Sequence, residues 1–227
     1  MMDALFSNET KEALMSAHVV VGWGLLLSGA IAVTTRKGER LHRLAGTVFF
    51  SLMILTVVLS VLLELNVRRL QWTFVLAGSA ASCLFCGYVA ARLRNRWPGA
   101  LGALGILFTV ILGTAFLFTP GLHHSPLRPM TLGVGMLALA SFDIATWRRR
   151  EVRYWWFVHL RHMLASFSLA LVAFSGATLK SLPVWAWKWW PIFLGFFAIV
   201  AFSLHYNKKL RSSASEAGQQ ETPETSI

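Results

Sequence analysis

Four side chains in apolar stretches of this sequence carry chemistry that hydrocarbon makes expensive: His42, Asp143, His159 and His162. His159 and His162 are three residues apart, which places them on one side of a helix. That spacing suits two ligands on one ion, or one ligand and a hydrogen-bonding partner. Both would point the same way, so the pair cannot bracket a haem between its own two rings. Asp143 lies about one turn from the end of its apolar run. A lone carboxylate there is costly, so it should be neutral, paired or bound, and the plain reading is a pair with a nearby arginine such as Arg148 or Arg40. His42 is followed at i+4 by Gly46, and His18 by Gly22. A glycine one turn along leaves a flat gap beneath the imidazole, able to admit a porphyrin face or another helix backbone.

The elements that hold these residues are read from hydropathy. Of the 227 residues 56% are hydrophobic and only 14% charged, against about a quarter charged in soluble domains. The apolar residues fall in runs near the roughly 20 residues a helix needs to cross a bilayer. Seven helices are expected, over 14–34, 44–65, 70–91, 100–119, 129–147, 158–179 and 184–205. The expected fold is all-α, a polytopic transmembrane bundle of about seven spans, with short connectors making successive helices antiparallel neighbours. Residues 1–13 form a polar segment without the basic start or cleavage site of a signal peptide. The membrane domain covers 14–206, and 207–227 is expected as a disordered cytoplasmic tail.

Basic residues set the orientation. With the N-terminus outside, fifteen Lys and Arg fall on the inner side and six on the outer, an N-out, C-in protein of a bacterial inner membrane by the positive-inside rule. All tryptophans except Trp23 fall at predicted helix ends, where an amphipathic ring prefers to sit. The net charge of +11 does not imply nucleic acid, because the basic residues sit in short clusters between apolar runs. Cys83 and Cys86 form a CxxC inside an apolar run with no second ligand pair, which reads as a packing face rather than a redox or zinc motif. Depth groups His42, Asp143, His159, His162 and His205 near the inner face. His18 lies near the outer face, with His123 and His124 just beyond it, separated from His42 by roughly 20 Å or more.

The run Lys37-Gly38, His42-Arg43 and Gly46 resembles a motif of an uncharacterised family of bacterial multi-pass membrane proteins, known only as a domain of unknown function. His159 with Met163, followed by Ala173-Phe174, is similar to the same family. So is the stretch from Trp187 to Pro191 ahead of a last helix ending near Tyr206. The likeness covers most of the chain from His18 to Tyr206, and Arg161-His162 departs from it. It implies a multi-helix inner-membrane fold and no activity.

Four functional classes follow. The default is a non-catalytic or accessory membrane role, with a membrane-protein partner or a second copy of the chain, and it needs no site. A haem b- or quinone-binding oxidoreductase or electron carrier would use His42 with His159 or His162. A zinc-dependent membrane hydrolase would use His42, Asp143, His159 and His162, although known seven-helix hydrolases of the ceramidase type carry HxxxH rather than this HxxH. A proton-coupled transporter would relay protons through Asp143 and the inner histidines, but the sequence lacks the inverted repeats common among transporters.

Overall fold

The computed structural model describes residues 6–67, 72–94, 99–118, 127–148, 154–178 and 190–220, and among these there are seven helices and no strand. They are α1 (Asn8–Thr34), α2 (Arg40–Val67), α3 (Trp72–Leu93), α4 (Ala100–Phe118), α5 (Leu127–Arg148), α6 (Tyr154–Thr178) and α7 (Trp190–Gln220). Six are long and apolar enough to cross a membrane, which makes the chain a multi-pass membrane protein. The apolar part of the seventh, Trp190–Tyr206, is shorter. The first part of the expected 184–205 span lies outside the described residues. Large apolar side chains face outward from the helices, among them Val20, Leu27, Phe118 and Phe197, as a lipid-facing surface requires.

Two ends differ from expectation. The helix expected from 14 begins at Asn8, because Ser7 caps it by accepting the Thr10 amide at 3.2 Å. The tail expected to be disordered from 207 continues α7 to Gln220; it extends an existing helix, so no new nucleus is required. Residues 221–227, 1–5, and the expected outer pair His123 and His124 lie outside the described residues.

Burial identifies the centre. In the apolar windows of α3 and α6, 67% and 56% of residues are buried, against 17% in α1 and 22% in both α2 and α4. The hairpin of α1 and α2 packs on one side of this pair and the hairpin of α4 and α5 on the other, while α7 lies on α6. Leu25, Phe49, Met53, Ala80 and Leu84 join α1 and α2 to α3, with Met163 and Phe167 of α6 packed against them. Val89, Ala90, Ile106, Ala140 and Val158 join α3 and α6 to the α4–α5 hairpin.

Small residues permit the close approaches, as membrane helices require. A Cβ on Gly133 would sit 2.7 Å from the Gly113 carbonyl oxygen, and one on Gly195 would collide with Ser168 Oγ. Ser82 and Thr109 hydrogen-bond between α3 and α4 at 3.0 Å. Cys83 and Cys86 are free thiols buried in these contacts. Cys86 lies against Gly105, where an added Cβ would be 2.9 Å from its sulfur.

Candidate functional site

The site begins at the turn from α1 to α2. A helix ends with carbonyls that have no intrahelical partner, and in hydrocarbon they must be met by side chains. Lys37 folds back so that Nζ donates to the carbonyls of Ala32 at 2.9 Å and Val33 at 2.7 Å. Gly38 then turns the chain with φ of 87°, a left-handed conformation natural to glycine. Partial burial holds the Lys37 ammonium below the usual lysine range. Four residues on, His42 Nδ1 lies 2.9 Å from the same Ala32 carbonyl. A carbonyl oxygen only accepts, so Nδ1 carries the proton and the neutral ring keeps a lone pair on Nε2.

His159 repeats the device on α6. Its Nδ1 donates to the Gly87 carbonyl of α3 at 2.9 Å, which again leaves the lone pair on Nε2. Each imidazole is thus held in orientation and tautomer by a backbone carbonyl, the arrangement that usually supports a ligating histidine. His42 is the third residue of α2 and His159 the sixth of α6, so they lie within the first two turns of two helices starting from the same end. They line one cavity of about 470 Å³.

That cavity has an apolar floor and a cationic rim. Gly29, Phe49, Phe167, Met163 and Leu164 line its inner part, with Gly46 beside His42. A Cβ on Gly46 would meet nothing within 4 Å, so the expected gap at i+4 is open space belonging to the cavity. Lys37, Arg43, Arg92 and Arg94 line the rim, with Tyr88, Trp155 and Trp156, and no acidic side chain contributes to the described wall. Arg94, in a left-handed backbone conformation just past α3 (φ 45°), lays its guanidinium 5.8 Å from the Trp155 ring centroid. Arg92 bonds Tyr88 through Nε at 3.0 Å.

The other two expected residues form a separate group. Asp143 on α5 and His162 on α6 are essentially fully buried and meet at 2.6 Å between Oδ2 and Nε2. Arg161 Nη2 lies 3.3 Å from Asp143 Oδ1 and donates to Thr146 Oγ1 at 3.0 Å. The expected arginine partner is thus present as Arg161 rather than the examples Arg148 or Arg40, with His162 on the other carboxylate oxygen. Asp143 lies deeper than the helix end, and α6 brings Arg161 to that depth. The guanidinium thus lies against the carboxylate, with the imidazole on its other oxygen. His162 Nδ1 is buried with no hydrogen-bond partner among the described residues.

The four site residues thus divide into a cavity pair, His42 and His159, and a buried pair, Asp143 and His162. Among the described residues no three His, Cys, Asp or Glu side chains gather as a metal site. His205 is exposed, with its ring against that of Tyr206. Sequence reasoning did not single out Lys37 or Arg161 as partners, since each reads as an ordinary topological charge. It also passed over Glu64, whose Oε2 is buried without a partner among the described residues, as is Nδ1 of His18. A carboxylate inside the apolar run of α2 was the available signal. No family model matches the chain, and no curated protein or solved structure is detectably similar to it.

Proposed function

We propose that this integral membrane protein is an electron carrier that holds haem b between His42 and His159 at the cytoplasmic end of the bundle. The observation that carries this reading is the matched pair of imidazoles. Each is tied through Nδ1 to a backbone carbonyl, and both stand on the wall of one cavity. The donor set fits: two imidazoles from different helices, each with Nε2 left available, would hold haem iron, and the cationic rim would complement its propionate carboxylates. A haem held there supplies one-electron chemistry. The protein's own groups do the rest. The carbonyls of Ala32 and Gly87 keep the Nε2 lone pairs available, while Phe49, Phe167 and Met163 keep water from the floor of the cavity.

The excess of basic residues at the cavity end supports N-out, C-in insertion in a bacterial inner membrane, with the rim toward the cytoplasm. The hydrolase reading lacks an assembled metal-ligand group among the described residues. The transport reading has no support beyond the buried Asp143 cluster.

The test is spectroscopic. Protein purified in detergent from haem-supplied cells should show a Soret band and, on reduction, a sharp α-band. His42→Ala and His159→Ala should each abolish or grossly shift both bands, and His162→Gln should retain them. Wild-type protein without a Soret band would overturn the reading.

A further inference from the structure

A second cavity, of about 400 Å³, lies on the opposite side of α6, between α5, α6 and α7. Its wall runs from Thr131 to Phe142 on α5, from Arg161 to Val172 on α6 and from Ile192 to Leu204 on α7, with Cys83 of α3 also on it. Eleven residues of helix rise about 16 Å, so this is a long, narrow cleft parallel to the helices and extending through about half of the hydrocarbon. Among the described residues α5 and α7 both pack on α6 but not substantially on each other. The gap between them gives the cleft an opening toward lipid.

The cleft has one polar end. Arg161 is the one charged side chain on the described wall, held by Asp143 and Thr146, with Phe142 beside it at 5.9 Å from guanidinium to ring. The rest of the wall is apolar or small. We propose that this cleft binds a membrane quinone, with its isoprenoid tail along α5 and α7 and its carbonyl-bearing ring at the Arg161 end. A guanidinium is a strong donor to a carbonyl oxygen. An anionic head is disfavoured because the Asp143 carboxylate lies 3.3 Å from Arg161, and a second anion there would be buried beside a like charge in a low dielectric. A neutral carbonyl acceptor adds none. The ring then lies across α6 from His159, only two residues from Arg161 along the chain. The binding itself does not depend on the haem reading, although a role for the quinone as redox partner rests on it.

The experiment uses full-length protein in nanodiscs of zwitterionic phospholipid, both haem-loaded and haem-free, with a decyl-tailed azidobenzoquinone as photoprobe. Saturable labelling of α5, α6 and α7 peptides is expected, displaced by the unlabelled decyl quinone and not by decylbenzene, which has the tail without the carbonyls. Gly135→Leu should weaken labelling at least tenfold. Gly135 lines the cleft and an added Cβ there meets nothing within 4 Å, so this variant grows into the space from a position free of close contact, and an unchanged thermal unfolding midpoint checks that the bundle is intact. Arg161→Gln should weaken it similarly. Equal displacement by decylbenzene would make the cleft a simple acyl-chain groove and overturn the proposal. So would labelling that is absent, lies elsewhere or is unchanged in Gly135→Leu. Because haem-free protein is labelled in parallel, loss of the Soret band and loss of quinone binding are separate results.

Discussion

At the scale of residues, the Asp143 cluster is where single substitutions should cost most. Removing one member of a buried ion pair leaves the other charge uncompensated, at about 3–5 kcal/mol. Asp143→Asn keeps the shape but strands the Arg161 guanidinium beside it. It should lower thermal stability in detergent markedly. The double variant Asp143→Asn, Arg161→Gln restores neutrality and should be more stable than Asp143→Asn alone. Equal or lower stability of the double variant would mean that charge balance is not what holds the cluster. The candidate residues themselves were legible, since polar side chains in apolar runs stand out. Their partners were not. His159 and His162 are three residues apart on a central helix with neighbours on several sides. A small angular difference therefore sends one ring to the Gly87 carbonyl of α3 and the other to Asp143 of α5. Spacing along one helix carries no information about which helix lies opposite. Lys37-Gly38, His42 and Gly46 illustrate the other case. The lysine caps α1, the glycine turns the chain, the histidine reaches the same carbonyl and the second glycine opens the cavity. A contiguous motif is readable because its geometry is local.

At the scale of elements, the helices were legible to within a few residues wherever hydropathy changes sharply, as at Thr34 and around Ala100. They were not legible where a helix continues into polar sequence, at the start of α1 and the end of α7. There hydrogen bonding and helix propensity continue after the membrane signal has stopped. Which helices sit at the centre was also hidden, because the apolar content of α3 and α6 does not exceed that of the lipid-facing α2 and α4. Glycines separate the two kinds of contact. Gly133 and Gly135 are two residues apart on α5, but a Cβ on the first would press on the Gly113 backbone oxygen while one on the second meets open space. Backbone cannot yield as a side chain can. Gly133→Val should therefore force α4 from α5 and destabilise by about 1–3 kcal/mol or more, whereas Gly135→Val should be nearly neutral. Thermal unfolding of the two variants side by side distinguishes a helix contact from a cleft wall. Equal effects would contradict the close α4–α5 approach.

At the scale of the whole molecule, the direction of insertion decides what the cavity can exchange with. The rim residues Lys37, Arg43, Arg92 and Arg94 all line one cavity, so they face a single compartment, which on the proposed N-out, C-in orientation is the cytoplasm. Three exposed positions report on it: Glu12 near the start of α1, Arg36 in the first turn between helices, and Lys208 on α7. The two native cysteines are fully buried, so they supply little background to a maleimide. With single cysteines introduced, a membrane-impermeant maleimide applied to intact cells should label Glu12→Cys but neither Arg36→Cys nor Lys208→Cys, and all three should react after permeabilisation. Labelling of Arg36→Cys in intact cells would turn the cationic rim outward. It would also remove the cytoplasm as the source of whatever His42 and His159 hold, while leaving the pairing of those two imidazoles intact. Orientation and ligation therefore fail or stand separately, because the first rests on charge summed over the whole chain and the second on two hydrogen bonds at one end of it.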